Sequence, residues 1–373
     1  MQKRFRKLIS LLLALGLIFS LPVFGSAQQN TASYMEIRFL DVGQADCALI
    51  SCDGHHMLID GGNKADSQLV YSVLQNLAVP KLDIIVATHP HEDHIGGIPA
   101  ALSYAKADLT LSPVTDFDSD AFRDFYSYAA KNGGGITVPT VGSSYSLGGA
   151  SVKILGLNAA NDPNNASIIL KLTHGENSFI FTGDAEREAE QAILNSPYAN
   201  ELAADLLKVG HHGSESSTTY PFLRAVMPQY AVISVGNENS YGHPTDNTLS
   251  RLRDAGTEVF RTDLQGDILC QSDGKTLSFS VSKDSTADTL SAPQSTVYER
   301  YESFEKNGIQ YELQITKSEN QATDYILNKN TKKFHYPSCR SVKQMKEKNK
   351  ISFSGSRDEV IARGYDPCGK CHP

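Results

Sequence analysis

The sequence predicts a layered α/β fold with a small second unit at its C-terminus. Three observations carry this. Strand and helix patterns alternate from about residue 36 to residue 281. The stretch LDIIVAT at 82–88 is apolar throughout, as suits a strand covered on both faces. The last 50 residues change character, becoming rich in Lys and carrying His335, Cys339, Cys368 and Cys371. A chain of 373 residues holds one core of roughly 250 residues plus an appendage. A 40% hydrophobic and 20% charged composition, with 28 Gly and 15 Pro, excludes collagen-like, coiled-coil and wholly disordered chains.

The first 27 residues read as an export signal. Lys3, Arg4, Arg6 and Lys7 precede the apolar run Leu8 to Phe24, and the small residues Gly25 and Ala27 follow at cleavage-site spacing. The run is shorter than a membrane span of about 20 residues and is interrupted by Gly16, Ser20 and Pro22. Cleavage is expected after Ala27, giving a secreted mature chain with no stable membrane span.

From Glu36 the segments EIRFLDV, CALISC and HMLID, the last ending in Gly61-Gly62, read as a strand meander. A helix is expected from about Asp66 to Leu77, then the apolar strand at 82–88. Helices are expected near 119–131, 186–194, 218–226 and 246–255, and strands near 152–157, 167–173, 178–182, 205–209, 230–235, 258–261, 268–271 and 276–281. His174, in a Thr-His-Gly-Glu turn, is expected to be solvated. These elements make a body over 34–283; a polar linker follows over 284–323, including YERYESFEKNGIQYELQI, to which no function is assigned; a basic module occupies 324–373.

Charge is segregated. Residues 28–283 carry 16 Lys+Arg against 30 Asp+Glu, whereas residues 331–373 carry 10 against 4. Such a body repels a polyanion; such a tail attracts one. Cys47, Cys52 and Cys270 fall inside apolar strands and are expected as buried thiols rather than disulfides.

The chemistry concentrates in THPHEDHIGG, Thr88 to Gly97, which places three imidazoles and a carboxylate within six residues directly after the buried strand. His89 and His91, two apart on extended chain, can point to one side. This donor set suits zinc or a similar divalent ion, and two metals are plausible because four ligands are supplied locally. The HExxH spacing of zincin proteases is absent, since only Glu92 and Asp93 separate His91 from His94. Three further groups stand just past apolar strands: Asp184 after FIFTG, His211 and His212 after DLLKVG, and His243 after AVISVGNENSYG. Loops at the ends of rigid strands commonly carry ligands.

Taken together, FLDVGQADC (Phe39 to Cys47), LIDGG (Leu58 to Gly62), THPHEDHIGG, TGDA (Thr182 to Ala185), HHGS (His211 to Ser214) and YGHP (Tyr241 to Pro244) resemble the metallo-β-lactamase superfamily, in its branch related to the competence protein ComEC. The resemblance covers 34–283. It implies a four-layer αββα sandwich with the metal site along one edge of its two sheets. It further implies two divalent metal ions, zinc or else manganese. His89 and His91 would hold the first, Asp93 and His94 the second with His212, and Asp184 would bridge; Asp60 would brace the histidine loop as structural support. Asp93, His211 and His243 are the catalytic candidates. A hydroxide bridging the two metals would attack the substrate, and His211 and His243 would donate to substrate oxygen or protonate the leaving group. The chain departs from the family at DPNNAS (Asp162 to Ser167), where many members carry another histidine, and at Ala45, where the branch usually has Gly.

In the tail, His335 and Cys339 are four apart and Cys368 and Cys371 three apart, a spacing that signals one structural zinc. A module of this size builds little core, so metal would supply its stability. It resembles the N-terminal zinc-binding domain of the DNA-repair protein Ada, with His335 standing where that family has its methyl-accepting cysteine. Repair chemistry is therefore not expected. Lys343, Lys346, Lys348 and Lys350 suit a nucleic acid or an anionic cell-envelope polymer.

The reading is an exported binuclear metal-dependent hydrolase, a phosphodiesterase or nuclease acting on DNA or related phosphodiesters, with single-stranded DNA among the candidate substrates. The alternatives left open are a small-ester or lactone metallohydrolase, and a catalytically weak binding protein on the same scaffold.

Overall fold

The computed structural model describes residues 33–158, 162–291, 323–355, 357–368 and 370–371. The proposed export signal and the segment YERYESFEKNGIQYELQI lie outside them.

Two sheets form the body. In the first, eight strands run in the order Leu277–Val281, Ile268–Ser272, Met35–Phe39, Ala48–Cys52, His55–Ile59, Lys81–Val86, Lys106–Leu111 and Ile136–Thr137. The second has seven, in the order Glu258–Arg261, Tyr230–Ile233, Leu206–Lys208, Asn177–Phe181, Ile169–His174, Ala150–Gly156 and Ser144–Leu147. Alternation along each strand divides its side chains between two cores. Ile84 and Val86 face inward, joining Ile37, Phe39 and Ile50 against Leu170, Leu172, Phe179 and Phe181 of the other sheet. Leu82 and Ile85 face outward onto Val70, Leu74, Leu102 and Phe125 from the helices Ser67–Asn76, Ile98–Tyr104 and Asp120–Asn132. On the far side, Ile169, Ile180 and Leu207 meet Ala189, Phe222 and Leu249 from Arg187–Leu194, Tyr220–Val226 and Asp246–Asp254. The result is helix, sheet, sheet, helix. Each Leu, Ile or Phe so buried contributes about 1.5–3 kcal/mol relative to exposure.

The expected elements all occur, with ends shifted by a few residues. Strands Lys106–Leu111, Ile136–Thr137 and Ser144–Leu147 are not anticipated by the sequence pattern, because the first is half polar and the other two are short strands at the edges of their sheets, so none carries a run of apolar residues. His174 is a correction: it is buried, its ring nitrogens within 2.8 Å of the Ser33 and Ser272 hydroxyls. Cys47, Cys52 and Cys270 are buried and unpaired.

Four neighbouring strands of each sheet run parallel: His55–Ile59, Lys81–Val86, Lys106–Leu111 and Ile136–Thr137 in the first, and Asn177–Phe181, Leu206–Lys208, Tyr230–Ile233 and Glu258–Arg261 in the second. The residues just past the ends of these strands include Asp60, Thr88, His89, Asp184, His211, His212 and Ser234. Ligands in open α/β sheets bind at the carboxyl ends of parallel strands for the same topological reason.

The C-terminal residues form a four-stranded sheet in the order Lys350–Gly355, Thr323–Asn328, Lys333–His335 and Asp366–Pro367. Its core is Tyr325, Leu327, Phe334, Val360, Ile361 and Tyr365, with Tyr220 of the body packed against it. The module therefore does more than trail from a polar linker. It packs on the body, and residues 289–291 also lie back on the body, where Arg253 and Arg261 donate to their carbonyls and Leu290 joins the outer core. Among the described residues no helix is long and apolar enough to cross a membrane.

Candidate metal centre

The histidine loop is shaped by glycines. Gly61 and Gly97 lie back to back: a Cβ on Gly97 would stand 2.0 Å from the Gly61 carbonyl oxygen, and one on Gly61 would stand 2.7 Å from the Ile98 nitrogen. Only glycine at both positions lets LIDGG pack against HIGG. Asp60 thereby reaches beneath the loop. Its Oδ1 accepts from the Thr88 backbone N–H at 2.8 Å, and its Oδ2 accepts from the Thr88 hydroxyl at 2.7 Å and from His94 Nδ1 at 2.8 Å. With Nδ1 committed, His94 presents Nε2 to the interior of the site.

His212 is oriented in the same way from the other sheet. Its Nδ1 donates to the Ser234 carbonyl at 3.0 Å, leaving Nε2 3.3 Å from Asp93 Oδ2 and 3.7 Å from Asp184 Oδ2. His211 and His212 both adopt left-handed backbone, φ 50° and 53°. Two consecutive non-glycine residues held there cost on the order of 1–3 kcal/mol each, an expense retained where geometry at a site requires it.

Asp184 lies at the middle. Its Oδ2 is 3.8 Å from His89 Nε2, 3.6 Å from His211 Nε2 and 3.7 Å from His212 Nε2, while its Oδ1 is 3.2 Å from His94 Nε2. His89 Nε2 is 3.1 Å from His91 Nδ1. Two groups result, in each of which one donor atom per residue lies within 4.8 Å of the others: His89, His91 and Asp93, and Asp93, His94, Asp184 and His212. His94 Nε2 and Asp184 Oδ1 are buried without a hydrogen-bond partner. Ring nitrogens and carboxylate oxygens that face one another across 3–4 Å form a donor set that a cation can bridge. This donor set fits divalent metal.

The electrostatics agree. Burial alone would lower the pKa of His212, but Asp184, Asp46 and Asp93 outweigh it and raise it to about 10. His94 is likewise raised well above the usual imidazole range against burial, by Asp184, Asp60 and Asp93. Burial opposes ionisation of Asp184, yet His94, His212 and His89 hold its carboxyl well below the usual range. The cluster thus calls for positive charge, which protons or metal ions can bring.

His211 and His243 stand at the rim. His211 Nδ1 is 3.0 Å from Glu186 Oε1. His243 Nδ1 is 3.4 Å from Gln44 Nε2, and its ring stacks on Tyr241 at 5.7 Å. Tyr241 is 71% exposed, so an aromatic face opens to solvent beside the site.

Sequence reasoning missed several supporting groups. Lys208, inside the apolar strand Leu206–Lys208, is 4% exposed and pairs at 2.8 Å with Asp46 of the FLDVGQADC segment. Asp46 Oδ1 in turn lies 3.2 Å from His212 Nδ1. A lysine within a buried strand is the signal that could have found this pair. In the DPNNAS segment, the Asn165 side-chain oxygen accepts from the backbone N–H groups of Glu186 and Ala189, and Ser167 Oγ accepts from that of Asp184. That segment fixes the loop of the central aspartate.

In the tail, His335, Cys339, Cys368 and Cys371 form a four-residue group with donor atoms within the same 4.8 Å limit. Both His335 ring nitrogens are buried without a partner. This donor set too fits a metal, and its thiolates suit zinc.

A four-layer sandwich with a carboxylate-centred histidine cluster at its strand ends defines a metal-dependent hydrolase scaffold. The family model described as "Metallo-beta-lactamase superfamily" matches residues 40–237, and the chain belongs to that superfamily. It is 30% identical over 267 residues to ComE operon protein 3 of Bacillus subtilis, covering 66% of this chain and 34% of that protein. It is 29% identical over 229 residues to the competence protein ComA of Neisseria gonorrhoeae, covering 61% and 30%. The chain thus spans about a third of the length of these relatives. Among solved structures, the metallo-beta-lactamase fold protein YhfI of Bacillus subtilis is 13% identical, with a TM-score of 0.45, over 64% of this chain and 100% of that one.

Proposed function

We propose that this chain is an exported binuclear hydrolase that cleaves phosphodiesters, with single-stranded DNA as the foremost substrate. The observation that carries the reading is the central position of Asp184, within 4 Å of ring nitrogens of His89, His94, His211 and His212. His89, His91 and Asp184 would hold one divalent cation; Asp93, His94, Asp184 and His212 would hold the other, zinc or manganese. Such a pair, when bound, supplies Lewis acidity and a water acidified toward neutrality.

The chain's own groups do the rest. Asp60 and the Ser234 carbonyl fix which ring nitrogen His94 and His212 turn inward. Asp93, whose side chain is 31% exposed, lies on the open side where substrate enters. His211 and His243 take different parts. Burial would lower the pKa of His211, but the hydrogen bond to Glu186 and the Asp184 charge raise it. It is the better donor of a proton to the leaving oxygen. Burial, with His211 and His212 nearby, depresses His243 to about 4, so it serves as a neutral hydrogen-bonding group.

Two features favour nucleic acid over a small ester. The relatives carry names that refer to competence and, in Haemophilus influenzae, to recombination. Tyr241 offers an exposed ring at the rim, and bases stack on such faces. We assign the C-terminal module, bounded at about 324, to nucleic acid or an anionic envelope polymer on the strength of its exposed Lys343, Lys346 and Lys348. Export rests on residues 1–27, outside the described residues.

The test is a panel on metal-replete full chain: bis-p-nitrophenyl phosphate, a single-stranded oligonucleotide, and small esters and lactones, each with and without EDTA. EDTA-sensitive cleavage of both phosphodiesters is expected. Cleavage of the esters alone would support the small-ester reading. Full metal occupancy with no turnover would leave a binding protein.

A further inference from the structure

The C-terminal module meets the body beside the hydrolase centre through several contacts, Lys333–Glu215 and Arg357–Asp254 among them, and one buried carboxylate lies within that junction. Asp366, 4% exposed at its side chain, is inserted between two arginines of the body. Arg187 pairs with it directly and also donates to the Gly364 carbonyl at 3.0 Å. Arg251, 1% exposed, brings Nη1 to 3.2 Å of the same Oδ2.

Both arginines belong to the support of the loop that follows HHG. The Arg187 backbone N–H donates to the Ser216 carbonyl at 3.0 Å. Arg251 Nη2 donates to the Ser217 carbonyl at 2.8 Å and to Thr248 Oγ1 at 2.9 Å. Beneath the loop, buried Glu190 accepts from the Thr219 backbone N–H and hydroxyl, and from the Thr218 N–H. Thr218 Oγ1 accepts from the Gly210 N–H, immediately before His211 and His212. A second tie runs alongside, where Lys333 of the module pairs with Glu215 of the loop. The left-handed backbone at His211 and His212 is held from both ends, and one anchor reaches back to the module.

Asp366 is in turn fixed by the tail cluster. It precedes Cys368 by two residues, and its strand pairs in parallel with Lys333–His335, matching Lys333 with Asp366. The Cys368 N–H donates to the Phe334 carbonyl at 2.9 Å, and the Asp366 N–H to the Lys332 carbonyl at 2.8 Å. The strand that holds Asp366 runs directly into Cys368, and the strand it pairs with ends in His335, two of the residues that a metal would lock together.

We infer that the C-terminal module is a working part of the hydrolase centre: Asp366 is a positioning residue that holds the His211/His212 loop through Arg187 and Arg251, and His335, Cys339, Cys368 and Cys371 hold Asp366. As a statement about turnover this rests on the proposed hydrolase function; as a statement about loop order it does not.

The experiment uses full-length, metal-replete protein, comparing the parent with Asp366→Asn, Asp366→Glu and Cys371→Ser. Cys371 belongs to the tail cluster. Amide exchange is followed for residues 210–219 and, as an internal reference, for the buried strand 81–86; kcat and KM are measured on bis-p-nitrophenyl phosphate. Asp366→Asn and Cys371→Ser are expected to speed exchange at 210–219 by about tenfold or more while leaving 81–86 unchanged, since loss of one anchor opens a local unit. They are expected to lower kcat by about tenfold with KM within about twofold, because misplacing a positioned group costs turnover. Asp366→Glu should recover part of both. Unchanged exchange at 210–219 in Asp366→Asn and Cys371→Ser would overturn the inference, as would equal acceleration at 81–86, which would mark a general loss of stability. If the parent hydrolyses nothing, the functional reading fails and the exchange data still decide this one.

Discussion

Replacing Lys208 by Met tests how the two sheets are locked together behind the metal ligands. The Lys208 and Asp46 side chains are 4% and 6% exposed, and their charged atoms are 2.8 Å apart. Lys208 also donates to the Val209 carbonyl at 3.1 Å, so its ammonium group is anchored on both sides. Burial pushes the Asp46 carboxyl up, but Lys208 and then His212 bring it well below the ordinary carboxylate range. Removing the ammonium strands a buried carboxylate, and breaking one side of such a pair typically costs about 3–5 kcal/mol. Asp46 either takes up a proton or draws on His212, whose Nδ1 is 3.2 Å away. Urea unfolding of the EDTA-treated chain should show the loss, with metal affinity falling as well. The double variant Asp46→Leu with Lys208→Met removes both charges, and should recover at least about half of the single variant's loss, because a matched apolar pair carries no uncompensated charge. A cost below about 1 kcal/mol for Lys208→Met, or a double variant no better than the sum of its singles, would refute the reasoning.

Other outcomes follow from the same geometry. Gly97→Ala puts a Cβ 2.0 Å from the Gly61 carbonyl oxygen; it should abolish metal binding at the body site or prevent folding, read by metal content and circular dichroism. Tyr241→Ala should weaken binding of a single-stranded oligonucleotide by about 1–3 kcal/mol, the scale of one base stack, with cleavage of bis-p-nitrophenyl phosphate little changed. In the metal-stripped chain His212 is raised to about 10 from 6.5, mainly by Asp184 and Asp46 against burial, and His94 is raised too. Their stabilisation is fully present below about pH 6.5 and is lost as pH rises toward about 10. Thermal melts of the EDTA-treated chain should therefore fall over that window. Metal affinity should climb over it, by up to about tenfold per pH unit for each proton displaced. Flat profiles in both would count against a carboxylate-bound imidazole pair.

How much of this was readable beforehand depends on sequence distance. The ligand segments announce themselves because each polar cluster stands directly after an apolar strand, as Asp184 follows FIFTG and His211 follows DLLKVG. The layered α/β class follows from the same alternation, whereas the four-layer sandwich is what the family resemblance implies. Partners far apart in the chain left no such trace. Asp46 and Lys208 are separated by 162 residues, and Arg187 and Asp366 by 179. The clear sign was a lysine where the pattern required an apolar residue. His174 was misread because a turn-like context suggests solvent, while the hydroxyls that bury it come from Ser33 and Ser272. The docking of the tail was invisible for a related reason: the segment before it is polar, and polarity speaks to flexibility without saying where the far end rests.

The most direct measurement is the metal content of the purified full chain beside that of Asp184→Asn, taken together with phosphodiester cleavage. The parent should hold about three ions, two in the body and one on the tail cysteines. The variant should fall to about one, with cleavage lost. A variant that keeps all its metal and still cleaves would contradict the central place given to Asp184.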